Sequence, residues 1–334
     1  MEKIIDLGAL GINQVYDLVS TGPEFWAIDR FEGIIRISQD GKLIDHYDLP
    51  NNAVTSLQGF TSETKEYFVF GLINKGDYNQ LYIAYFDSLS NEFKELPLDN
   101  DLQINQDSYV FSNIVEDAKG AYWLITNDML VRINLIEGYV EEVPLSINIE
   151  SYQTIEPASQ SIVFHLNKLW FMGYLSSDST GNSFDHYILM SFDPSIEEIQ
   201  FYGSPPGLEN LGPLSGTPPI LRLFVDGTNR IWVTDFGWLD ISEGSKNVWH
   251  QIIRPPEFVI TTSKYAPYEY LWASGIPVFS SEQSLLMNIS KGIVKLDMES
   301  EEWCIVSRGE TGPLEIDPEN NVYVITNDEL YVLP

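Results

Sequence analysis

Apolar residues in this chain come in short runs closed by Gly, Asn, Asp or Pro, as in "VYDLVS", "EFWAID", "GIIRIS" and "KLIDHYDLP". Several runs alternate apolar and polar positions, and no segment holds the three-to-four spacing of a helix face, so the pattern predicts an all-β chain. Nearly the same nine residues occur twice, "ITNDMLVRI" at 125–133 and "ITNDELYVL" at 325–333. Around them a longer unit recurs. Each copy has a strand carrying a large apolar pair: Phe25-Trp26, Tyr67-Phe68, Tyr122-Trp123, Leu169-Trp170, Ile231-Trp232, Leu285-Leu286 and Val322-Tyr323. Their second members are 42, 55, 47, 62, 54 and 37 residues apart.

An apolar run precedes each anchor, and a second strand signal follows it ("GIIRI", "LYIAYF", "LVRI", "ILMSF", "WLDI", "GIVKL", "LYVL"). In six copies a further strand comes after a tight turn such as "SQDGK", "IEGY" or "SEGSK". Four strands per unit at such a period predict a β-propeller with one sheet per blade. The last unit stops three strands in, at Pro334, while "KIIDLG" (Lys3–Gly8) precedes the first and reads as an outer strand. The expected fold is therefore a single seven-bladed β-propeller in which the N-terminal strand completes the last blade. Its units span 9–50, 51–98, 99–145, 146–203, 204–253, 254–308, and 309–334 with 1–8.

Three segments carry a more specific pattern: "YDLPNNAVTSL" (47–57), "VEDAKGAYWLITNDMLVRIN" (115–134) and "VDGTNRIWVTDFGWLDIS" (225–242). They resemble two-component-regulator propeller repeats. In those, an acidic-Gly turn leads into a Trp strand, then a Gly-Leu strand, and "LP-x-N-x-V" opens the next repeat. Units two, four and six lack the acidic-Gly turn or the Trp. The resemblance implies a propeller scaffold and, for the family, a sensor ectodomain that binds extracellular ligands, often saccharides. The repeats also resemble those of streptogramin-lyase-like propellers, which implies a rival reading as a lyase.

Charge narrows the partners. With 49 Asp plus Glu against 18 Lys plus Arg, the formal net charge is −31. Such a surface repels nucleic acid and anionic membranes, leaving a basic protein or peptide, a cation, or a neutral ligand such as a saccharide. No run approaches the ~18 apolar residues of a membrane span, and "MEKIIDLGALG" does not read as a signal peptide. Read as written, the chain is expected to be cytoplasmic, although a domain taken from an exported parent would read alike.

Alternation of strand direction puts the loops between second and third strands on the same face as the blade-to-blade connections. On that face fall the extra residues "GLINKGDYNQ" in blade two and "MGYLSSDSTGNSFDH" in blade four, with long connections at 203–219 and 254–277 and a milder one at 146–159. Long one-sided elaborations point to a binding surface. Its candidate ligand-binding residues are Tyr78, Tyr152, Phe184, His186, Trp238, Tyr265, Tyr268, Tyr270 and Trp272. Rings and amides of this kind suit a sugar or a peptide.

Catalytic chemistry is sparse. Of the four histidines, His46 and His250 fall in outer strands and His165 ends an inner one, so these three read as surface or structural residues. His186, beside Asp185, is the one proton-transfer candidate. Cys304 is the sole cysteine, and "EEWCIVS" reads as a strand, so a packed thiol is expected. The acidic run "DNDLQINQD" has Ile104 and Val110 where a calcium loop needs Gly and Glu. No phosphate loop, dinucleotide fingerprint, nucleophile elbow or zinc-helix motif occurs, so no cofactor or metal is expected. The leading reading is a non-catalytic recognition module. Its rivals are a lyase or hydrolase acting on a polysaccharide-like substrate in the central funnel, and a structural subunit of an assembly.

Overall fold

A computed structural model of the chain describes residues 2–10, 12, 15–21, 23–29, 33–48, 54–61, 67–98, 103–105, 113–126, 129–135, 137–143, 154–157, 161–176, 184–206, 223–226, 229–233, 237–241, 248–251, 278–280, 284–289, 292–308, 314–316, 321–326 and 329–333. They form seven antiparallel sheets, the seven blades of a β-propeller. The chain divides into two compact units, Met1–Pro97 with Leu271–Pro334, and Leu98–Tyr270.

The first unit holds four blades. Blade one is Val15–Ser20, Glu24–Asp29, Gly33–Ser38 and Leu43–Tyr47. Blade two is Val54–Thr61, Tyr67–Asn74, Tyr78–Asp87 and Glu92–Glu95. Blade six is Val278–Ser280, Ser284–Ile289, Gly292–Asp297 and Trp303–Arg308. Blade seven takes Leu314–Ile316, Val322–Thr326 and Glu329–Leu333 from the end of the chain and Glu2–Asp6 from its start.

That last pairing is antiparallel, with Glu2 opposite Val332 and Asp6 opposite Glu329. The closing strand stops at Asp6, two residues short of the expected Gly8, because the Asp6 carboxylate accepts the Ala9 amide (2.9 Å) and starts a single 3-10 turn, Gly8–Leu10. The Lys3–Glu329 ion pair (2.8 Å) is solvent-exposed and contributes little. The strength of the join lies in Ile5, Leu7 and Ile12, buried with Phe25, Tyr323, Ile325 and Leu330.

All seven anchor pairs sit in second strands, and both members of every pair are buried. Neighbouring residues of a strand point to opposite faces, so one pair serves two interfaces. Phe25 packs edge-on against Tyr323 of blade seven (4.4 Å between ring centroids), while Trp26 stacks on Tyr67 of blade two (4.5 Å).

The second unit holds three blades. Blade three is Val115–Glu116, Tyr122–Ile125, Leu130–Asn134 and Tyr139–Val143. Blade four is Val163–His165, Lys168–Ser176, Phe184–Asp193 and Glu198–Phe201. Blade five is Leu223–Val225, Arg230–Val233, Gly237–Asp240 and Trp249–Gln251. Their shared core includes Trp123, Trp170, Phe171, Met190 and Leu239. Polar ties join adjacent blades at or just before their innermost strands: the Asn113 amide bonds both backbone groups of Ile162 (2.9 Å each), and the Ser161 hydroxyl accepts the Leu223 amide. In the first unit the Asp17 carboxylate likewise accepts the Gly59 amide (2.8 Å).

The acidic-Gly turn has a physical basis. Asp117 Oδ2 accepts the Trp123 indole N–H (2.9 Å), and its Oδ1 accepts the amides of Lys119 (2.8 Å) and Ala121 (3.0 Å). Asp226 repeats this with Trp232 Nε1 (2.8 Å) and the Arg230 amide (3.1 Å). Three residues after each Asp the backbone turns left-handed, at Gly120 (φ 78°) and Asn229 (φ 62°). One buried carboxylate thus fixes the turn and the anchor together. Blade four does without it: Leu166 and Asn167 take the left-handed conformation (φ 50° and 59°), and Trp170 Nε1 donates to the His165 carbonyl (3.0 Å).

A second turn recurs between third and outer strands. Asp87, Asp193 and Asp297 each accept backbone or hydroxyl donors from two or three residues on. Four residues after each comes a left-handed Asn91, Glu197 or Glu301. Lys94, with the Leu89 amide and the Ser90 hydroxyl, pulls the Asp87 carboxyl down to about 2. An unfolded Asp titrates near 3.9, so the stability from Asp87 is whole above that pH and disappears as pH falls through the folded value. Asp87→Asn should therefore be less stable than wild type in urea above about pH 4, with the gap closing toward pH 2.

Third strands of blades one and six open on Gly33 and Gly292 because a Cβ there would lie 2.7 Å from the Tyr47 carbonyl oxygen and 2.0 Å from that of Ser307.

Candidate functional site

Where they are described, the elaborated hairpins of blades two and four continue as sheet. In blade two the residues expected as a loop continue the ladder, with Gly71 opposite Tyr82, Ile73 opposite Gln80 and Asn74 opposite Asn79. Strands of 8 and 10 residues result, against 4 and 5 at the same place in blade three. Leu72, Ile73 and Leu81 are buried, which is why this stretch pairs. The tip is tight: Lys75 N donates to Tyr78 O (2.9 Å) and Gly76 N to Asn74 Oδ1 (2.8 Å). Tyr78 is half-buried at the base of that tip.

Blade four is extended by the same means, Lys168–Ser176 pairing with Phe184–Asp193. Its outer strand covers only Met190–Asp193, so the hairpin projects beyond it. Two of the long connections flank the projecting part. Thr154–Pro157, from the 146–159 connection, pairs with Gly173–Ser176. On the other side, where 203–219 begins, Leu189 N donates to Gly203 O (3.0 Å). Phe184 and His186 lie on this hairpin, opposite Ser176 and Leu175, with a register shift between the two pairs. Three elaborations thus meet on one sheet.

Trp238 is corrected from an open binding ring to a packed one. It lies in the third strand of blade five, across from Trp232 and His250, and is 9% exposed. Its ring stacks on His250 (3.8 Å, 10° between planes), and the Arg230 guanidinium sits 4.2 Å from its centroid. Tyr152, Tyr265, Tyr268, Tyr270 and Trp272 lie outside the described residues. His165 bonds Asn229 Oδ1 through Nε2 (2.9 Å), a structural link between blades four and five, and His46 and His250 are exposed. Cys304 is also corrected: its thiol is exposed, because the outermost strand of a blade has no further strand packed over it. Among the described residues no three His, Cys, Asp or Glu are grouped to hold a metal ion, and no helix is long and apolar enough to cross a membrane.

A groove that the sequence did not signal lies beside the outer strands of blades one and two. It has a volume of about 460 Å³ and is lined by Asp45, His46, Tyr47, Asp48, Asn91, Glu92 and Phe93. Tyr47 and Phe93 are buried, within a cluster of rings that includes Trp26, Tyr67 and Phe86. Asn91 spans the two blades, its Oδ1 accepting the Tyr47 hydroxyl (3.0 Å) and its Nδ2 donating to Asp45 (3.1 Å). The His46 amide and the Asn91 side chain hold the Asp45 carboxyl below the usual carboxylate range.

No known protein-family model matches the chain, and no curated protein sequence does. Solved structures do. The extracellular domain of the putative hybrid two-component system BT3049 from B. thetaiotaomicron aligns over 96% of this chain and 39% of its own, with 12% identity and a TM-score of 0.60. Streptogramin B lyase aligns over 96% of this chain and 94% of its own (14% identity, TM-score 0.52). Dipeptidyl peptidase 4 of Porphyromonas gingivalis aligns over 96% and 53% (12% identity, TM-score 0.51). The chain therefore spans about two-fifths of the length of the two-component extracellular domain that it resembles. At these identities the likeness establishes the architecture alone: this chain is a seven-bladed β-propeller, a fold that does not by itself fix a function.

Proposed function

We propose that this propeller is a non-catalytic recognition module, binding a protein or peptide partner, or a saccharide, at the elaborated ends of its blades. The observation that carries this reading is blade four, where a projecting hairpin is braced on both edges by segments from two separate blade connections. A projection braced at its edges lowers the ordering cost of binding. The likeness to a two-component extracellular domain supports a ligand-sensing role. In calorimetric titrations against a saccharide panel and against partners captured from the source cells, Phe184→Ala/His186→Ala should weaken binding by about tenfold or more. Tyr78→Ala should act less strongly. Unchanged binding in both variants rejects this site. Release of new reducing or unsaturated ends from a polysaccharide, abolished by His186→Ala, would replace it with the lyase or hydrolase reading.

A further inference from the structure

We infer that the groove between the outer strands of blades one and two docks an extended, lysine- or arginine-bearing segment of a partner protein. This surface is separate from the hairpin site of blade four, so neither reading stands or falls with the other.

Charge comes first. Asp45, Asp48 and Glu92 line the groove, and among the described residues none of them has a lysine or arginine within salt-bridge distance. Arg36 and Lys94 act through space on Asp45 and Glu92, but the ion pair of each is with another carboxylate. Arg36 holds Glu24 through two bonds (2.6 and 2.8 Å), and Lys94 holds Asp87. Three carboxylates facing one trough, on a chain of net charge −31, favour a cationic occupant and steer its approach.

Shape and surface narrow the occupant further. Tyr47 and Phe93 give the trough a rigid aromatic base against which the methylene stem of a lysine or arginine packs. Leu89, in the Asp87–Asn91 turn that also carries the groove residue Asn91, is 97% exposed and offers apolar contact to a side chain between two basic ones. One wall is Leu43–Tyr47, the outermost strand of blade one, whose free edge pairs with no other strand among the described residues. A strand edge takes up extended peptide backbone. Asn91, already bonded to both walls, sets the groove in place before anything binds.

The test is fluorescence anisotropy with a labelled Gly-Lys-Leu-Lys-Val-Lys-Gly peptide at near-physiological salt, about 0.15 M. Asp48→Asn/Glu92→Gln removes two exposed groove charges and leaves the Asp45–Asn91 bond intact. Binding should weaken about fivefold to tenfold. The control Glu142→Gln/Glu198→Gln removes the same charge from the outer strands of blades three and four and should change binding less than about twofold. Equal weakening in both variants, or no binding by the wild type, overturns the proposal. A photoreactive version of the peptide should label 43–48 or 89–93, and labelling confined to other segments overturns it as well. Unchanged circular dichroism of both variants confirms that the comparison is between folded proteins.

Discussion

Removal of residues 1–8 should destabilise the whole propeller and make it associate. The deletion strips Glu2–Asp6 from blade seven, and with it Ile5 (8% exposed) and Leu7 (0%) from the core. Burial of two such side chains is worth about 3–6 kcal/mol, a large fraction of the ~5–15 kcal/mol that holds a domain folded. The edge of Glu329–Leu333 is then left open to other chains. Urea unfolding should shift by about that amount, and light scattering should rise with concentration. Leu7→Ala alone should cost about 2–4 kcal/mol, whereas Lys3→Ala, which breaks only an exposed ion pair, should have hardly any effect. A synthetic peptide of residues 1–12 added in trans should recover part of the loss. No recovery, with Leu7→Ala behaving as wild type, would mean that the strand is dispensable.

Asp117→Ala should produce the largest loss from a single polar side chain. The carboxylate accepts the Trp123 indole and two turn amides in a buried setting. Its removal leaves three donors without an acceptor, at about 2–4 kcal/mol in total. Asp117→Asn keeps an acceptor oxygen and should recover about half. In a double-mutant cycle with Trp123→Phe the costs should be sub-additive by about 1 kcal/mol, since the indole no longer needs the acceptor. His165→Ala is the contrast. Trp170 bonds the backbone carbonyl of His165, so that bond survives the substitution and the loss should be far smaller.

Those two Asp–Trp pairs also explain how much of the fold is legible in the sequence. Asp117 with Trp123, and Asp226 with Trp232, are six residues apart, so the whole device fits inside one turn and its letters recur wherever the device does. Blade four reaches the same geometry with two left-handed residues and a carbonyl, and a backbone acceptor leaves no mark in the sequence. The extended hairpins read as loops in the sequence for a related reason. "GLINKGDYNQ" is rich in turn residues, yet only its centre turns, and the flanks pair because Leu72, Ile73 and Leu81 find buried positions.

The candidate site was less legible. Tyr78, Phe184 and His186 do lie on projecting hairpins, but Trp238 is packed, a difference set by its cross-strand neighbours Trp232 and His250. The acidic groove has no mark in the sequence. Its walls, 45–48 and 91–93, come from two blades, and nothing local to either segment foretells that Asn91 will bridge to Asp45 and Tyr47.

The exposed thiol of Cys304 has a practical consequence. It is the only cysteine in the chain, it stands on a regular strand of blade six, and it belongs to neither of the two proposed binding surfaces. A maleimide dye or nitroxide attached there would report from one known position in every molecule.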